Sequence, residues 1–297
     1  MKALFVLFIY IVALLFCATV FGGVAEDLRQ NTVIVTDGYG HGSGVMFTRS
    51  ERTFIWTAGH VASIFVNPDG TYREVTIRQG ERSGKARVLR GGDMLYDADF
   101  ALLELCEGDV RLDGVADTKF YRAFNCIEVG QKIIHCGSPF DRDWNERLVF
   151  FGRISAVEQW CKPVLGLVKV GRHLDQVDLT AGGGCSGGPV VDAETGGIVG
   201  LLVMGMTNGH RINTIEPTRR LYTWAAKHDC LWAVDRDVPV PGKIVPWPSD
   251  SYLRRCRDRE GDTDKWGDPP GKEAREEKSL IQVIVEFISS VMGQNAG

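Results

Sequence analysis

Short apolar runs closed by Gly, Asp or Ser recur along most of the chain. They read NTVIVTDG, GSGVMFTR, RTFIWTAG, YREVTIRQG, KARVLRGG and ADFALLEL, then GQKIIHCGSP, RLVFFGRISAV, PVLGLVKVG, DQVDLT, GPVVD, GGIVGLLVMGM and HRINTI. Runs of this length between turn residues predict strands. About a dozen strands with no helix between them predict antiparallel barrels or a sandwich. The first helical pattern is PTRRLYTWAAKH, with Thr218 as N-cap and an apolar face of Leu221, Trp224 and Ala225.

Both ends depart from this pattern. An apolar run from Ala3 to Phe21 follows Lys2 and precedes Glu26 and Asp27. Residues 1–25 therefore read as a secretory signal, cleaved after Ala25, or as a retained N-terminal anchor. Either reading exports the body. The body is expected over 28–234, with a boundary between two halves near 115–128. Residues 235–278 mix prolines with charges of both signs and read as a disordered linker. Residues 279–293 carry Leu280, Ile281, Ile284, Phe287, Ile288 and Val291 on one helical face. That helix would dock on the body, pair with a second copy or lie on a membrane. The segments 3–21 and 280–292 are thus the candidates for membrane attachment, and an oligomer is open.

Composition adds limits. The net charge of -4 gives no electrostatic ground for binding nucleic acid. Beyond the leader stand Cys106, Cys126, Cys136, Cys161, Cys185, Cys230 and Cys256, an odd number, so at least one is free or pairs outside the chain. Export permits disulfides, but spacing does not choose among pairings. No zinc spacing is present, and His135 and Cys136, adjacent on one strand, point to opposite faces. No metal and no cofactor are expected.

The stretch GGGCSGGPV, residues 182–190, offers two nucleophiles, Cys185 and Ser186. An alcohol needs a base to take its proton, an acid to orient that base, and N–H donors where the oxyanion forms. His60 ends the run FIWTAGH, and His41 lies one strand earlier in GYGHGSGV. Asp99 abuts the apolar run FALL, where an acid must be paired to be tolerated; Asp97 lies two residues before it.

TAGH, DFALL and GCSGGP, in this order, resemble the three signature segments of chymotrypsin-like serine peptidases, and more closely the HtrA-like branch. GYGHGSGVMF, VGQKIIHCGSPFDRDWNERLVFFGRISAV and INTIEPTRRL resemble further segments of that branch, over roughly residues 30–230. The resemblance implies two antiparallel six-stranded β-barrels with a C-terminal helix. It implies a triad of Ser186, His60 and Asp99, an oxyanion hole from the N–H groups of Gly184 and Ser186, and a protein or peptide substrate. It puts Thr180 at the base of the primary pocket and Gly200, Leu201 and Leu202 on the strand that binds substrate backbone. No acid stands at the pocket base, so cleavage after a small or apolar residue is expected. Viral relatives use cysteine directly before Gly-Gly, the place Ser186 holds here, so the hydroxyl is the expected nucleophile. Cys185 stands where digestive relatives carry an aspartate that pairs with a freed N-terminus, which argues against that activation switch. TAGHV replaces the branch's common TNxHV, and the charged, Pro-rich residues after the helix cannot build the branch's usual PDZ domain. The rival readings are a catalytically inactive protease-fold scaffold and a narrow phage or viral processing protease.

Overall fold

The computed structural model describes residues 23–92, 98–108, 120, 127–140, 146–161, 172–205 and 212–247. Twelve strands close into two antiparallel six-stranded barrels. The first contains β1 (Thr32–Thr36), β2 (His41–Arg49), β3 (Arg52–Thr57), β4 (Val75–Gln79), β5 (Arg82–Gly91) and β6 (Ala101–Gly108), in the order β1-β2-β3-β6-β5-β4. The second contains β7 (Lys132–Gly137), β8 (Leu148–Cys161), β9 (Arg172–Asp178), β10 (Pro189–Asp192), β11 (Ile198–Gly205) and β12 (Ile212–Pro217), in the order β10-β11-β12-β9-β8-β7. Closure removes the open sheet edges that a sandwich would leave. It settles the choice between barrels and sandwich in favour of barrels.

The apolar runs are nearly continuous because several strands are buried on both faces. Along β2 and β3, Met46 and Ile55 point into the first barrel with Val33, Val35, Ile77, Val88 and Leu103. Their neighbours Val45, Phe47, Phe54 and Trp56 point the other way, into a third cluster outside the barrels. In the second barrel, Ile133, Ile154, Val177, Val190, Val199, Leu202 and Ile215 fill the interior. The third cluster takes residues from both barrels and from α3 (Thr218–Lys227), so it joins the two halves.

Helix α3 buries the expected face of Leu221, Trp224 and Ala225, with the Trp224 ring 5.9 Å from Trp56 and 6.0 Å from Phe100. Its N-cap is Pro217 rather than Thr218. The Thr218 hydroxyl instead donates to the carbonyl of Ile198 on β11, at 2.8 Å, and so ties the helix to the sheet it follows.

Among the described residues, two α-helices lie outside the expected pattern. One, α1, covers residues 23–31 of the described chain and leads into β1. It buries Leu28 and packs Val24 and Ala25 against the outer cluster. The other, α2 (Gly59–Ser63), is the single turn that carries His60. The segments 3–21 and 279–293, with Cys126 and Cys256, lie outside the described residues. Among the described residues, Cys106, Cys136, Cys185 and Cys230 form no disulfide. Burial pushes the Cys136 thiol up to about 11 and the Cys230 thiol up to about 12.

Residues 235–247, placed in the linker by composition, run back over the first barrel. Arg49 on β2 donates to the carbonyls of Asp235 at 3.0 Å and Val238 at 2.9 Å. The buried Arg90 on β5 donates to the carbonyls of His228, Leu89 and Val245, each at 2.7 Å. Its guanidinium lies 4.4 Å from the centre of the Trp247 ring, and Trp247 N–H donates to Leu89 O at 3.0 Å. Main-chain carbonyls on arginines hold this strap together with Ile244, which is buried in the outer cluster, and Val238 and Val240, which pack against it.

Replacing Arg90 by Met would leave buried carbonyls without a donor. We expect a loss of about 3 kcal/mol in urea denaturation. A loss below about 0.5 kcal/mol would show that the strap adds nothing to the fold.

Candidate active site

Strand β3 ends at Thr57 and the chain turns at once into α2, so His60 stands at the rim of the first barrel. Asp99 lies two residues before the start of β6, which pairs with β3, so the two side chains stand at the ends of neighbouring strands. The Asp99 carboxylate is fully buried. Its Oδ2 lies 2.7 Å from His60 Nδ1, and its Oδ1 accepts the His60 backbone N–H, also at 2.7 Å. Two donors satisfy the acid that burial would otherwise penalise. Because a carboxylate only accepts, Nδ1 carries the ring hydrogen and Nε2 is left as the basic nitrogen. Asp97 lies outside the described residues.

The loop 182–188 of the second barrel comes to this rim through β2. Ser43 N–H donates to Ser186 O at 2.7 Å, and Ser43 Oγ donates to Gly184 O at 2.8 Å. A Cβ on Gly42 would meet Val61 of α2 at 2.5 Å and Ser186 O at 3.0 Å, so the serine's backbone and the histidine's helix flank the same glycine. Gly187 is at φ +83°, and a Cβ there would lie 2.2 Å from Thr57 Oγ1 and 2.6 Å from Ala58 N, just ahead of His60. Only glycine combines that conformation with that contact. Ser186 is half-buried, and among the described residues its hydroxyl makes no hydrogen bond, with His60 included. The structure therefore joins His60 and Asp99 directly and brings the backbone of Ser186 beside them.

Both proposed oxyanion donors have their peptide planes fixed from behind. In a trans peptide the C=O and the next N–H point in opposite directions. Gly183 O accepts from Phe140 N–H at 2.8 Å, which turns Gly184 N–H the other way. Cys185 O accepts from Gly188 N–H at 3.0 Å, which does the same for Ser186 N–H. Neither the Gly184 nor the Ser186 N–H has an acceptor among the described residues. Gly184, at φ +91°, permits the turn.

Cys185 is fully buried in the second barrel's core. Next to it lies His135, also fully buried, with Nδ1 2.9 Å from Pro189 O and its ring stacked 5.7 Å from Phe150. Nδ1 must donate to that carbonyl, so Nε2 is bare, and a Cβ on Gly137 would meet both Nε2 and Cys185 Cβ. Burial with no counter-charge lowers His135 to about 4. Cys136, its neighbour, packs in the outer cluster, so the two do face opposite ways.

The residues expected to bind substrate fall elsewhere. Gly200, Leu201 and Leu202 are buried within β11, paired on one side with β10 and its approach through Gly188, and on the other with β12. With both edges occupied they cannot take a substrate strand. Beyond Leu202, β11 has passed the end of β10; Met204 and Gly205 pair with β12, Val203 is the bulge between the two stretches of pairing, and among the described residues no strand pairs with the other edge of Met204 and Gly205. Thr180 is exposed and lines a cavity of about 400 Å³ with Lys132, Phe151, Arg153 and Asp178. None of His60, Asp99 and residues 182–188 borders that cavity.

Asn213 lies beside the same stretch of β11. It is buried on β12 opposite Gly205, and its Nδ2 donates to Leu179 O at 2.6 Å. Its Oδ1 would stand 2.8 Å from a Cβ on Gly205. The amide thus lies between the segment that precedes the loop 182–188 and the end of β11. Only the pairing register reveals this, since Asn in HRINTI carries no local signal.

Residues 42–201, more than half of the chain, match the trypsin-like peptidase domain. The chain belongs to that family. Solved structures with the same fold include the Rv3671c protease of M. tuberculosis H37Rv in an inactive form, at 18% identity and TM-score 0.55, covering 71% of this chain and 94% of that one. The serine endoprotease from Yersinia pestis aligns at 18% identity and TM-score 0.51, covering 71% and 66%. The HtrA-type protease AlgW, solved with a tripeptide, aligns at 19% and TM-score 0.54, covering 72% and 64%. No curated protein matches in sequence.

Histidine 135 makes stability depend on pH. Its folded pKa lies below the ordinary value near 6.5, so between the two the unfolded chain binds the proton and the folded chain does not. Stability should therefore fall by about 2 kcal/mol as pH drops from about 7 to about 4.5. In denaturant titrations across that range, His135→Gln should show a slope shallower by this amount; an unchanged slope would refute the assignment.

Proposed function

We propose that the chain is an exported serine endopeptidase that hydrolyses protein substrates through Ser186, His60 and Asp99. The observation that carries this reading is the His60–Asp99 pair, whose bare Nε2 sits at the rim where the uncommitted Ser186 hydroxyl arrives. Ser186 Oγ would attack the scissile carbonyl carbon while His60 Nε2 takes its proton. The oxyanion would form at the N–H groups of Gly184 and Ser186. The imidazolium, stabilised by Asp99, would then protonate the leaving amine, and water would hydrolyse the resulting acyl ester by the same route. The tripeptide in the AlgW structure supports peptides as the substrate class. The apolar run 3–21 supports export, through a cleaved signal or a retained anchor.

The substrate strand would add to this edge at Met204 and Gly205 by main-chain pairing. Its side chain before the cleaved bond would then point toward Asn213. An uncharged amide already tied to Leu179 O leaves room for a small residue and offers no counter-charge to Arg or Lys.

Two experiments test this. A fluorophosphonate should label the wild type and Cys185→Ala but not Ser186→Ala. Labelling that survives Ser186→Ala and vanishes in Cys185→Ala would make the thiol the nucleophile, and a folded wild type that takes no label would favour a non-catalytic scaffold. In peptide libraries the wild type should cleave after small residues such as Ala. Asn213→Gly should raise kcat/KM about tenfold for Leu or Phe at that position, the scale of a few methylenes in a pocket. Cleavage mainly after Arg or Lys, or an unchanged profile in the variant, would overturn the pocket assignment.

A further inference from the structure

We infer that His41 is the positioning residue of the oxyanion loop, holding the segment that fixes the Gly183–Gly184 peptide; the inference rests on the serine peptidase reading. His41 opens β2 in the first barrel and is 6% exposed. Its Nε2 lies 2.8 Å from Ser138 O, in the segment that follows β7 of the second barrel. A carbonyl only accepts, so Nε2–H is the donor. The ring also meets Phe140 edge to face, with centroids 4.6 Å apart. These two contacts hold Ser138 and Phe140, the residues on either side of Pro139.

Phe140 is the residue whose N–H donates to Gly183 O. That bond decides which way Gly184 N–H points, because the two groups share one planar peptide. A rotation of this peptide would turn its N–H from the reaction centre and present a carbonyl to a developing negative charge. His41 also touches the glycine itself: a Cβ at Gly184 would lie 2.7 Å from Nε2 and 2.3 Å from Ser138 O. Imidazole, carbonyl and glycine are therefore in one packed layer, and a shift of the first moves the last. Ser43 anchors the same layer from two residues along, accepting from Ser138 N–H at 2.9 Å while donating to Gly184 O. Histidine suits the role because its planar ring supplies both a donor and an aromatic face. Glutamine can supply the donor but not the face.

The loss of such a support should fall on the transition state. In the full chain, His41→Ala should lower kcat on a peptide substrate about 10–100-fold, the lower range for a disturbed oxyanion donor, with KM within about twofold. Affinity for a peptide boronate, which places an oxygen where the oxyanion forms, should fall in parallel. Affinity of the uncleaved peptide, measured in a Ser186→Ala background, should not change. His41→Gln should recover at least about tenfold of the lost kcat. Phe140→Pro, which removes the N–H that holds Gly183 O but leaves His41 in place, should reproduce the kcat loss, and it serves if His41→Ala does not fold. The inference fails if kcat in His41→Ala stays within about twofold of wild type. It also fails if boronate and uncleaved peptide weaken equally, or if Gln is no better than Ala. A wild type that neither turns over peptide nor takes a fluorophosphonate would instead remove the serine reading on which it rests.

Discussion

The arrangement of the site depends on one seam, the contact of β2 with the loop 182–188. Each barrel is closed, so neither can share a sheet with the other. His60 and Asp99 belong to the first barrel and Ser186 to the second, and the proposed triad needs them placed to within a fraction of an ångström. Ser43 carries much of that placement. Its N–H, its hydroxyl and its carbonyl are all spent, on Ser186 O, on Gly184 O with Ser138 N–H, and on Thr57 Oγ1 at 2.6 Å. Backbone-to-backbone contact through one small residue leaves little freedom for one barrel to slide on the other. Gly42 and Gly187 allow the approach, since a side chain at either would collide with the opposite barrel. The outer cluster then supplies the bulk of the cohesion, with Trp56 from the first barrel and Leu201 from the second meeting residues of α3.

The seam also explains why the acid can be buried. Asp99 sits where the first barrel closes over β3 and β6, out of reach of water. Its two oxygens are both taken by His60, one by the ring and one by the backbone. The backbone bond fixes the start of α2 and the side-chain bond fixes the ring's tautomer. A turn of helix this short has little stability of its own. The carboxylate therefore both orients the imidazole and holds in place the turn that presents it.

Much of this was legible in the sequence because the decisive segments are local. TAGH, DFALL and GCSGGP each place a side chain at a strand end, and their order on an all-β chain carries the fold. What escaped depends on partners far away in the chain. That Gly200, Leu201 and Leu202 are paired on both edges while Met204 and Gly205 lie beyond the end of β10 is a matter of pairing and not of composition. Asn213 is visible only as the partner of Gly205. His41 looked like one histidine in a glycine-rich turn, and its meaning comes from a carbonyl 97 residues away. The strap over 235–247 reads as linker by composition because its apolar anchors, Val238, Val240 and Ile244, are few and follow no period, and the rest of its hold comes from Arg49 and Arg90 on its carbonyls.

The choice between thiol and hydroxyl turns on which direction each adjacent residue can face. Glycines at positive φ bracket the pair at 184 and 187, so the chain reverses tightly around it. One side chain must then point into the second barrel and the other toward the seam. Cys185 takes the inward position, packed with Ile133, Val190 and Leu202 beside the buried imidazole of His135. A carboxylate at that place would need a cation, and the nearest ring is held neutral by its own burial. An uncharged thiol fits instead, and it fills the space without requiring an ion pair. The loop is thus supported by packing at Cys185 and by hydrogen bonds from Ser43, Phe140 and Gly188, all supplied by the folded barrels themselves. Outward orientation then falls to Ser186, at the half-buried rim where His60 stands.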